Sequence, residues 1–375
     1  MKIGYDAKRA FLNNTGLGNY SRWLIKTTAE HYPDNSYLLY TPKLKHNKWR
    51  DFFHAFANIK VITPASKFLT ALWRSKGVVT DLKNDGVHIY HGLSYELPSG
   101  IQTTGIRTVV SIHDLIFLRF PQYYNAIDRW IYTAKTKKAC DTAHRIIAIS
   151  DRTKQDLVQL LGADPDKIEV IYQGCSPEFG MPIPTDRLEA VRAKYSLPDE
   201  FLLTVGTIEE RKNLMLLAKA LTHLKSSVPL VVVGKATKYL DEVKAYLTQK
   251  ELLDKVTFLH NVPFEDLTAI YKLASLFIYP SRYEGFGIPI LEALTSCLPV
   301  IASTGSCLEE AGGPVSRYVH PDDDKELATQ IELVLTNTEL RDHMIKAGHI
   351  YAERFKDATL AAQLMDIYKQ LIQYA

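Results

Sequence analysis

Thirteen short apolar runs, each closed by a small or polar residue, alternate along this chain with longer segments of helical periodicity. In the first half the runs are Lys2–Asp6, Tyr37–Thr41, Ile59–Thr63, Val87–His91, Thr108–His113, Arg145–Ser150 and Glu169–Tyr172. In the second half they are Phe201–Thr207, Leu230–Gly234, Val256–His260, Leu276–Pro280, Val300–Ser303 and Arg317–His320. Runs of this kind are buried on both faces, and helices between them impose right-handed parallel crossovers. The pattern predicts two doubly wound α/β units of about seven and six strands. A length of 375 residues suits two domains.

Between the halves, Gln173–Asp199 holds Pro177, Pro182, Pro184 and Pro198, a density that predicts a linker. At the end, Thr359–Tyr374 places Leu360, Leu364, Ile367, Tyr368 and Leu371 on one helical face. The composition, 46% hydrophobic and 23% charged, excludes disordered, collagen-like and disulfide-scaffold classes. No apolar run is long enough to span a membrane and the start lacks a signal-peptide core, so a cytoplasmic protein is expected. Cys140, Cys175, Cys297 and Cys307 lack CxxC spacing and read as reduced thiols. The net charge of +3 hides a division: residues 1–175 carry 24 Lys and Arg against 15 Asp and Glu, the remainder 21 against 27.

Doubly wound sheets bind ligands at the carboxyl ends of their strands, and the chemistry-bearing residues fall in such loops. Tyr279–Ala293 leaves a strand, passes Gly285 and Gly287 and opens a helix with Pro289 near its first position. The glycines let backbone N–H groups approach a ligand, and the helix start attracts an anion. Glu284 precedes the turn and Glu292 lies about one turn inside the helix, seven residues intervening. Two carboxylates flanking an anion site suit a ligand with a phosphate centre and a diol at each end, as in a nucleotide sugar. They also read as a loop charge and a solvated helix residue.

After the first strand of the second half, Arg211 and Lys212 supply a guanidinium fork and a point charge for a diphosphate. With Glu209 and Glu210 they equally make a mixed-charge surface turn. His113 ends a strand and could donate a hydrogen bond to a leaving phosphate or a sugar hydroxyl, with Asp114 orienting it or meeting an acceptor. A strand-end His also serves structure alone. Gly16 and Gly18 permit a tight turn over a ligand. The third glycine of a dinucleotide fingerprint is missing, and Tyr40-Thr41-Pro42 stands where its acidic residue would be, which argues against a dehydrogenase.

Together these segments resemble the retaining nucleotide-sugar glycosyltransferases of family 4. The family's signature sets one Glu seven residues before a second in a Gly-rich turn, here EGFGIPILE from Glu284 to Glu292. Ile149–Lys154, Val205–Asn213 and Asp322–Ile331 are similar to further family segments, and the motifs follow family order over nearly the whole chain. The resemblance implies an α/β chain of GT-B fold, two Rossmann-like doubly wound domains facing a central cleft. It implies an acceptor-side domain over 1–175, a linker over 176–199, a donor domain over 200–358, and a C-terminal helix, 359–375, packed back on the first domain.

Carried over to this chain, the resemblance gives His113 and Glu284 catalytic roles, Glu284 holding the hexose hydroxyls and His113 reaching across the cleft to the donor sugar and leaving phosphate. The ribose diol would meet Glu292, and Lys212 and Arg211 would neutralise the diphosphate. Backbone N–H groups around Gly285, Phe286, Gly287 and Ile288 would face hexose or phosphates, with Gly16 and Gly18 closing over the phosphate. Asp114 and Tyr123 are acceptor-side candidates. Many members carry Arg where this chain has Thr207, and Arg211 in an R-K-N form takes that cation's place. No DxD pair precedes the donor cleft and Asp322–Asp324 reads as charge at a helix start, so neither metal nor cofactor is expected. Catalysis would then rest on cations and helix-end dipoles around the departing diphosphate. The R-K-N form is similar to mannosyltransferases of surface-polysaccharide assembly. It points first to GDP-mannose and next to UDP-glucose or UDP-N-acetylglucosamine. A non-catalytic sugar-nucleotide-binding subunit is the alternative.

Residues 43–83 hold nine Lys or Arg against Asp51 and Asp81, interleaved with Trp49, Phe52, Phe53, Phe56, Phe68, Leu69, Leu72 and Trp73. Such a mixture suits an interfacial position on anionic lipid, or a solvated face over a core-facing stripe. With the resemblance, it predicts a saccharide or lipid-linked saccharide acceptor and peripheral contact with the inner membrane face. The modest net charge and the lack of a binding motif exclude nucleic acid.

Overall fold

The computed structural model describes residues 1–44, 48–66 and 68–373. Lys45 and Lys67 of the basic segment, and Tyr374 of the last expected helix, lie outside the described residues. Each of the thirteen runs overlaps a strand. In the first half these are β1 (Lys2–Asp6), β2 (Ser36–Tyr40), β3 (Ile59–Ile62), β4 (Ile89–Gly92), β5 (Arg107–Ile112), β6 (Arg145–Ala148) and β7 (Ile168–Val170). In the second they are β8 (Leu202–Val205), β9 (Leu230–Val233), β10 (Val256–Leu259), β11 (Leu276–Tyr279), β12 (Val300–Ser303) and β13 (Arg317–Val319). Five helices matter below: α1 (Gly16–His31), α2 (Ala126–Thr142), α3 (Thr185–Tyr195), α4 (Ile288–Thr295) and α5 (Asp357–Gln373).

The strands form two sheets, in the orders β3-β2-β1-β4-β5-β6-β7 and β10-β9-β8-β11-β12-β13. All neighbours pair in parallel. Each sheet starts in its middle, grows outward to one side, then crosses to the other. Ile3 accordingly pairs with Tyr37 on one side and Ile89 on the other. In the second sheet Leu202 pairs with Leu230 and Leu276. The reversals lie between β1 and β4 and between β8 and β11, and at such points the loops part to leave a ligand crevice. Central strands are largely apolar because helices cover both faces, as the fully buried Leu-Val-Val-Val of β9 illustrates.

The chain divides into two compact units, Met1–Gln173 with Lys356–Ala375, and Gly174–Phe355. In the first unit the core includes Ile3, Tyr5, Val109 and Ile147, completed by Leu360, Leu364, Tyr368 and Leu371 of α5. In the second, Leu202, Val232, Ile278 and Ile301 pack beneath Leu217, Leu327 and Ile331. The stretch expected as a linker, 176–199, is mostly structured and belongs to the second unit. Pro184 lies just before α3 and Pro198 beyond it, positions where a missing N–H does not interrupt the helix. Helix α3 is pinned by the buried carboxylate of Asp266, which receives Arg187, Lys194 at 2.6 Å and the Tyr195 hydroxyl at 2.7 Å. Among the described residues no helix is long and apolar enough to cross a membrane.

Candidate functional site

In the second unit, the expected donor residues gather at the carboxyl ends of β8 and β11. Gly206 follows β8 at φ +152, a conformation that glycine alone adopts readily, and turns the chain away from the sheet. A 3₁₀ turn, Glu210–Lys212, then presents Arg211 and Lys212. Asn213 locks this turn to the loops after β11 and β13 by donating from Nδ2 to the carbonyls of Pro280, at 3.2 Å, and Pro321, at 2.7 Å.

Glu284 stands at the centre. Its Oε1 accepts from Lys212 Nζ and Ser281 Oγ, both at 2.5 Å, and from the Tyr279 hydroxyl at 3.2 Å. Its Oε2 pairs with Arg211 Nη1 at 2.9 Å. Burial would raise its pKa, but Lys212 and Arg211 reverse that and hold it at about 2. Burial likewise opposes the Arg211 charge, and Glu284 with Glu209 drives its pKa above the usual arginine range. The resemblance assigns Glu284 to hexose hydroxyls and the two cations to a diphosphate; the structure joins all three in one partly buried ion cluster.

The Gly-rich turn carries the chain from Glu284 into α4. Gly287 sits at φ +146, and a Cβ there would come within 3.0 Å of the Ala311 methyl. The Phe286 side chain is core, its ring centroid 5.5 Å from that of Phe355. Cys307 Sγ donates to the Phe286 carbonyl at 2.7 Å and approaches the Glu284 carbonyl at 3.0 Å. Ile288 is the first residue of α4. Glu292, one turn in, accepts from the Tyr271 hydroxyl at 2.9 Å. Burial raises its pKa to about 7 against the pull of that hydrogen bond. One carboxylate is thus firmly ionised and the other poised near neutrality. The sequence reading gave Ser281, Tyr279, Tyr271, Asn213 and Cys307 no role of their own; Tyr271, Asn213 and Cys307 join the site only through contacts between distant segments.

In the first unit, His113 follows β5 and is only 5% exposed. Its Nε2 lies 2.9 Å from the Leu93 carbonyl, which can only accept, so Nε2 carries the hydrogen and donates it in a hydrogen bond. Burial lowers the His113 pKa to about 4, so the ring is neutral. The expected hydrogen-bond donor is therefore already committed, and Nδ1 is left as an acceptor. Its ring stands edge-on to Tyr20, centroids 4.5 Å apart. Tyr20 shares Ser111 Oγ with His91 Nε2, both at 2.8 Å, and His91 Nδ1 meets the Tyr368 hydroxyl of α5 at 2.6 Å. This buried relay supports the His113 pocket.

Other expectations change. Gly16 and Gly18 lie in the first turn of α1 rather than in a turn over a ligand. The turn is made by Asn13, whose Oδ1 accepts from Thr15 N at 2.8 Å and Gly18 N at 3.2 Å. Asp114 accepts from Ile116 N at 3.1 Å and opens a short helix, while Tyr123 stacks on Phe120. Of the basic aromatic segment, Arg74 pairs with Asp6 and Glu96, Phe53 is buried against Phe11, and Trp73 donates to Asp81. Phe68, Leu69 and Leu72 remain exposed. Asp323 caps a helix by accepting from Glu326 N, and Asp322 and Asp324 pair with Arg282 and His223. Among the described residues no group of three or more His, Cys, Asp or Glu is arranged to hold a metal ion.

Comparison with known proteins agrees with this arrangement. Residues 37–179 match the family model described as Glycosyltransferase Family 4, and residues 189–350 match that of Glycosyl transferases group 1. O-antigen chain mannosyltransferase B of Escherichia coli is 30% identical over 291 residues, covering 76% of this chain and 74% of the relative. The chain belongs to glycosyltransferase family 4. Among solved structures, this glycosyltransferase resembles the sucrose-phosphate synthase of Thermosynechococcus elongatus at a TM-score of 0.79 and 20% identity, each chain covered in full. It also resembles Anabaena HepE, solved with UDP and glucose, at a TM-score of 0.75 and 18% identity over 99% of this chain and 100% of that one. At these identities the likeness establishes the GT-B fold, with its two Rossmann-like sheets.

Proposed function

We propose that this family 4 glycosyltransferase moves mannose from GDP-mannose, with retention of anomeric configuration, onto a saccharide or lipid-linked saccharide of a surface polysaccharide. The observation that carries the reading is the Glu284–Arg211–Lys212 cluster at the switch point of the second sheet, beside the start of α4. The mannosyl assignment rests on the likeness to the O-antigen mannosyltransferase.

In this reading the incoming diphosphate competes with Glu284 for Arg211 and Lys212, and freed lone pairs of Glu284 accept the hexose hydroxyls. Glu292 takes the ribose diol. As the glycosidic C–O bond breaks, negative charge gathers on the departing diphosphate. The two cations and the N–H groups at Gly287 and Ile288 stabilise that charge without reorganising. The acceptor oxygen attacks from the same face, and its proton passes to the leaving phosphate oxygen. His113, neutral and with Nε2–H engaged, accepts a hydroxyl hydrogen bond rather than donating one. The protein works in the cytoplasm with no metal, and its exposed Phe68, Leu69 and Leu72 meet an anionic membrane.

The test is a turnover assay across GDP-mannose, UDP-glucose and UDP-N-acetylglucosamine, with the product anomer read by NMR. Turnover of GDP-mannose with an unchanged anomer, insensitive to EDTA, is the expected result. An inverted anomer overturns the mechanism, and preference for a UDP-sugar overturns the donor.

A further inference from the structure

At the switch point of the first sheet, the carboxyl end of β1 and the loop after β4 border a cavity of about 190 Å³. Asp6, the last residue of β1, lines it together with Arg74 of the π-helical turn Trp73–Gly77. Glu96 and Ser99 come from the loop after β4, and Lys135 and Lys138 from α2. That volume holds about six waters at ~30 Å³ each, close to the size of one hexose ring.

Two local strains bring Glu96 to this place. Gly92 ends β4, and a Cβ there would lie 2.1 Å from the Glu96 carbonyl oxygen, so glycine is needed for the loop to fold back this closely. Tyr95 sits at φ +60, a left-handed conformation that is costly for a bulky residue and that gathers at functional sites. The same loop holds His113. The Leu93 carbonyl accepts from its Nε2, and the Tyr95 ring centroid lies 5.6 Å from that of the imidazole. The Tyr95 hydroxyl also accepts from Asp114 N at 3.1 Å. One segment thus fixes both Glu96 and His113.

Most of the charge in the cavity is paired internally. Arg74 binds Glu96 Oε2 through Nη1 and donates from Nε to the two Asp6 oxygens at 3.2 and 3.1 Å. Lys135 Nζ donates to Glu96 Oε1 at 3.2 Å. Burial opposes the Glu96 charge, but Arg74 and Lys135 outweigh it and lower the pKa, so the carboxylate is ionised. Lys138 Nζ donates to Ser99 Oγ at 2.7 Å. Two cations and two carboxylates offset each other and leave little net charge for an anion. What the cavity offers is hydrogen bonding of both senses in one small volume. Each Glu96 oxygen holds one partner and has a second lone pair, and the Lys138 ammonium spends one of its three N–H groups on Ser99. A vicinal diol matches that layout, one hydroxyl donating to the carboxylate and its neighbour accepting from the ammonium.

We propose that this cavity is a subsite for a neutral hexose of the acceptor, with Glu96 and Lys138 gripping two adjacent hydroxyls. The proposal rests on the function above only in taking the acceptor to be a saccharide. Saturation-transfer NMR of the full chain with methyl α-mannoside, methyl α-glucoside and methyl α-galactoside, in the absence of nucleotide, tests it. At least one hexoside should bind. Lys138→Met keeps the apolar stem and leaves the Asp6–Arg74–Glu96–Lys135 network intact, so it should weaken that hexoside by about tenfold with an unchanged melting temperature. Glu96→Gln should weaken it at least as much, with circular dichroism checking the fold, and GDP affinity should stay at the wild-type value in both variants. Binding of none of the hexosides, or an affinity unmoved by Lys138→Met and by a folded Glu96→Gln, overturns the subsite. Inorganic phosphate that binds in a Lys138-dependent way while no hexoside does would make the cavity an anion site and overturn it equally. The donor assignment fails separately: a preference for a UDP-sugar leaves the hexoside result standing, because no nucleotide is present in the titration.

Discussion

Glu292 and Glu284 are chemically identical side chains that the fold makes unlike. Glu284 is flooded with positive charge and stays ionised, whereas Glu292 has a phenol for a partner and titrates at about 7. Only the ionised form accepts two hydrogen bonds from a diol. GDP affinity should therefore rise as pH climbs through about 7, and Glu292→Gln should flatten that profile. Stability moves the other way. An ordinary carboxyl titrates at 4.5 and the folded one higher, so the stability linked to this proton is full at low pH and lost as pH rises through about 7. Thermal melts across that range check the sign. Glu292→Ala should weaken nucleotide binding by about 1.5–3 kcal/mol, the worth of hydrogen bonds to a charged group. An unchanged nucleoside-diphosphate affinity would remove Glu292 from the site. His113→Ala should lower kcat more than it raises KM, because a hydrogen bond that strengthens in the transition state acts on turnover.

At the scale of elements, the two glycines at the start of α1 separate cleanly. A Cβ on Gly18 would lie 1.9 Å from the Asn13 carbonyl oxygen, whereas one on Gly16 would have nothing within 4 Å. Gly18→Ala should cost several kcal/mol, about 3 or more, because backbone must move. Gly16→Ala should keep the melting temperature. Loss of activity in a stable Gly16→Ala protein would mark that position as ligand-facing. Helix α5 returns from the far end of the chain to complete the first core, and Tyr368 connects it to His91 and so to Ser111 and Tyr20. Tyr368→Phe leaves the buried His91 nitrogen unpaired and should cost about 1–3 kcal/mol in a chemical denaturation series.

Over the whole molecule, the charge division noticed in the sequence acquires definite carriers. The acidic second half places Arg211 and Lys212 in one cluster, neutralised by Glu284 and Glu209. The basic first half spends Arg74, Arg119 and Arg152 on buried carboxylates. What stays outward near residue 70 is apolar: Phe68 is 85% exposed and Leu69 74%. Phe68→Asp with Leu72→Asp should reduce co-sedimentation with anionic vesicles at low salt, each lost apolar contact weakening insertion. Equal sedimentation of variant and wild type would take this surface out of membrane contact.

Periodicity alone determined the strands, their number and their parallel arrangement, because a run buried on both faces must be apolar whatever its neighbours are. It also located Glu284, Arg211, Lys212 and His113 in loops after strands and Glu292 in the helix that follows such a loop, since doubly wound sheets put their ligands there. Pairing between distant segments was beyond its reach. That Glu284 joins both cations, that Cys307 holds the Gly-rich turn, that α3 stands on Asp266 and that the His113 proton is already engaged were all decided in the tertiary structure. The physical reason is common to them. A hydrophobic pattern records how each residue meets solvent, whereas a charge or a proton takes its meaning from whichever side chain the fold brings within about 3 Å.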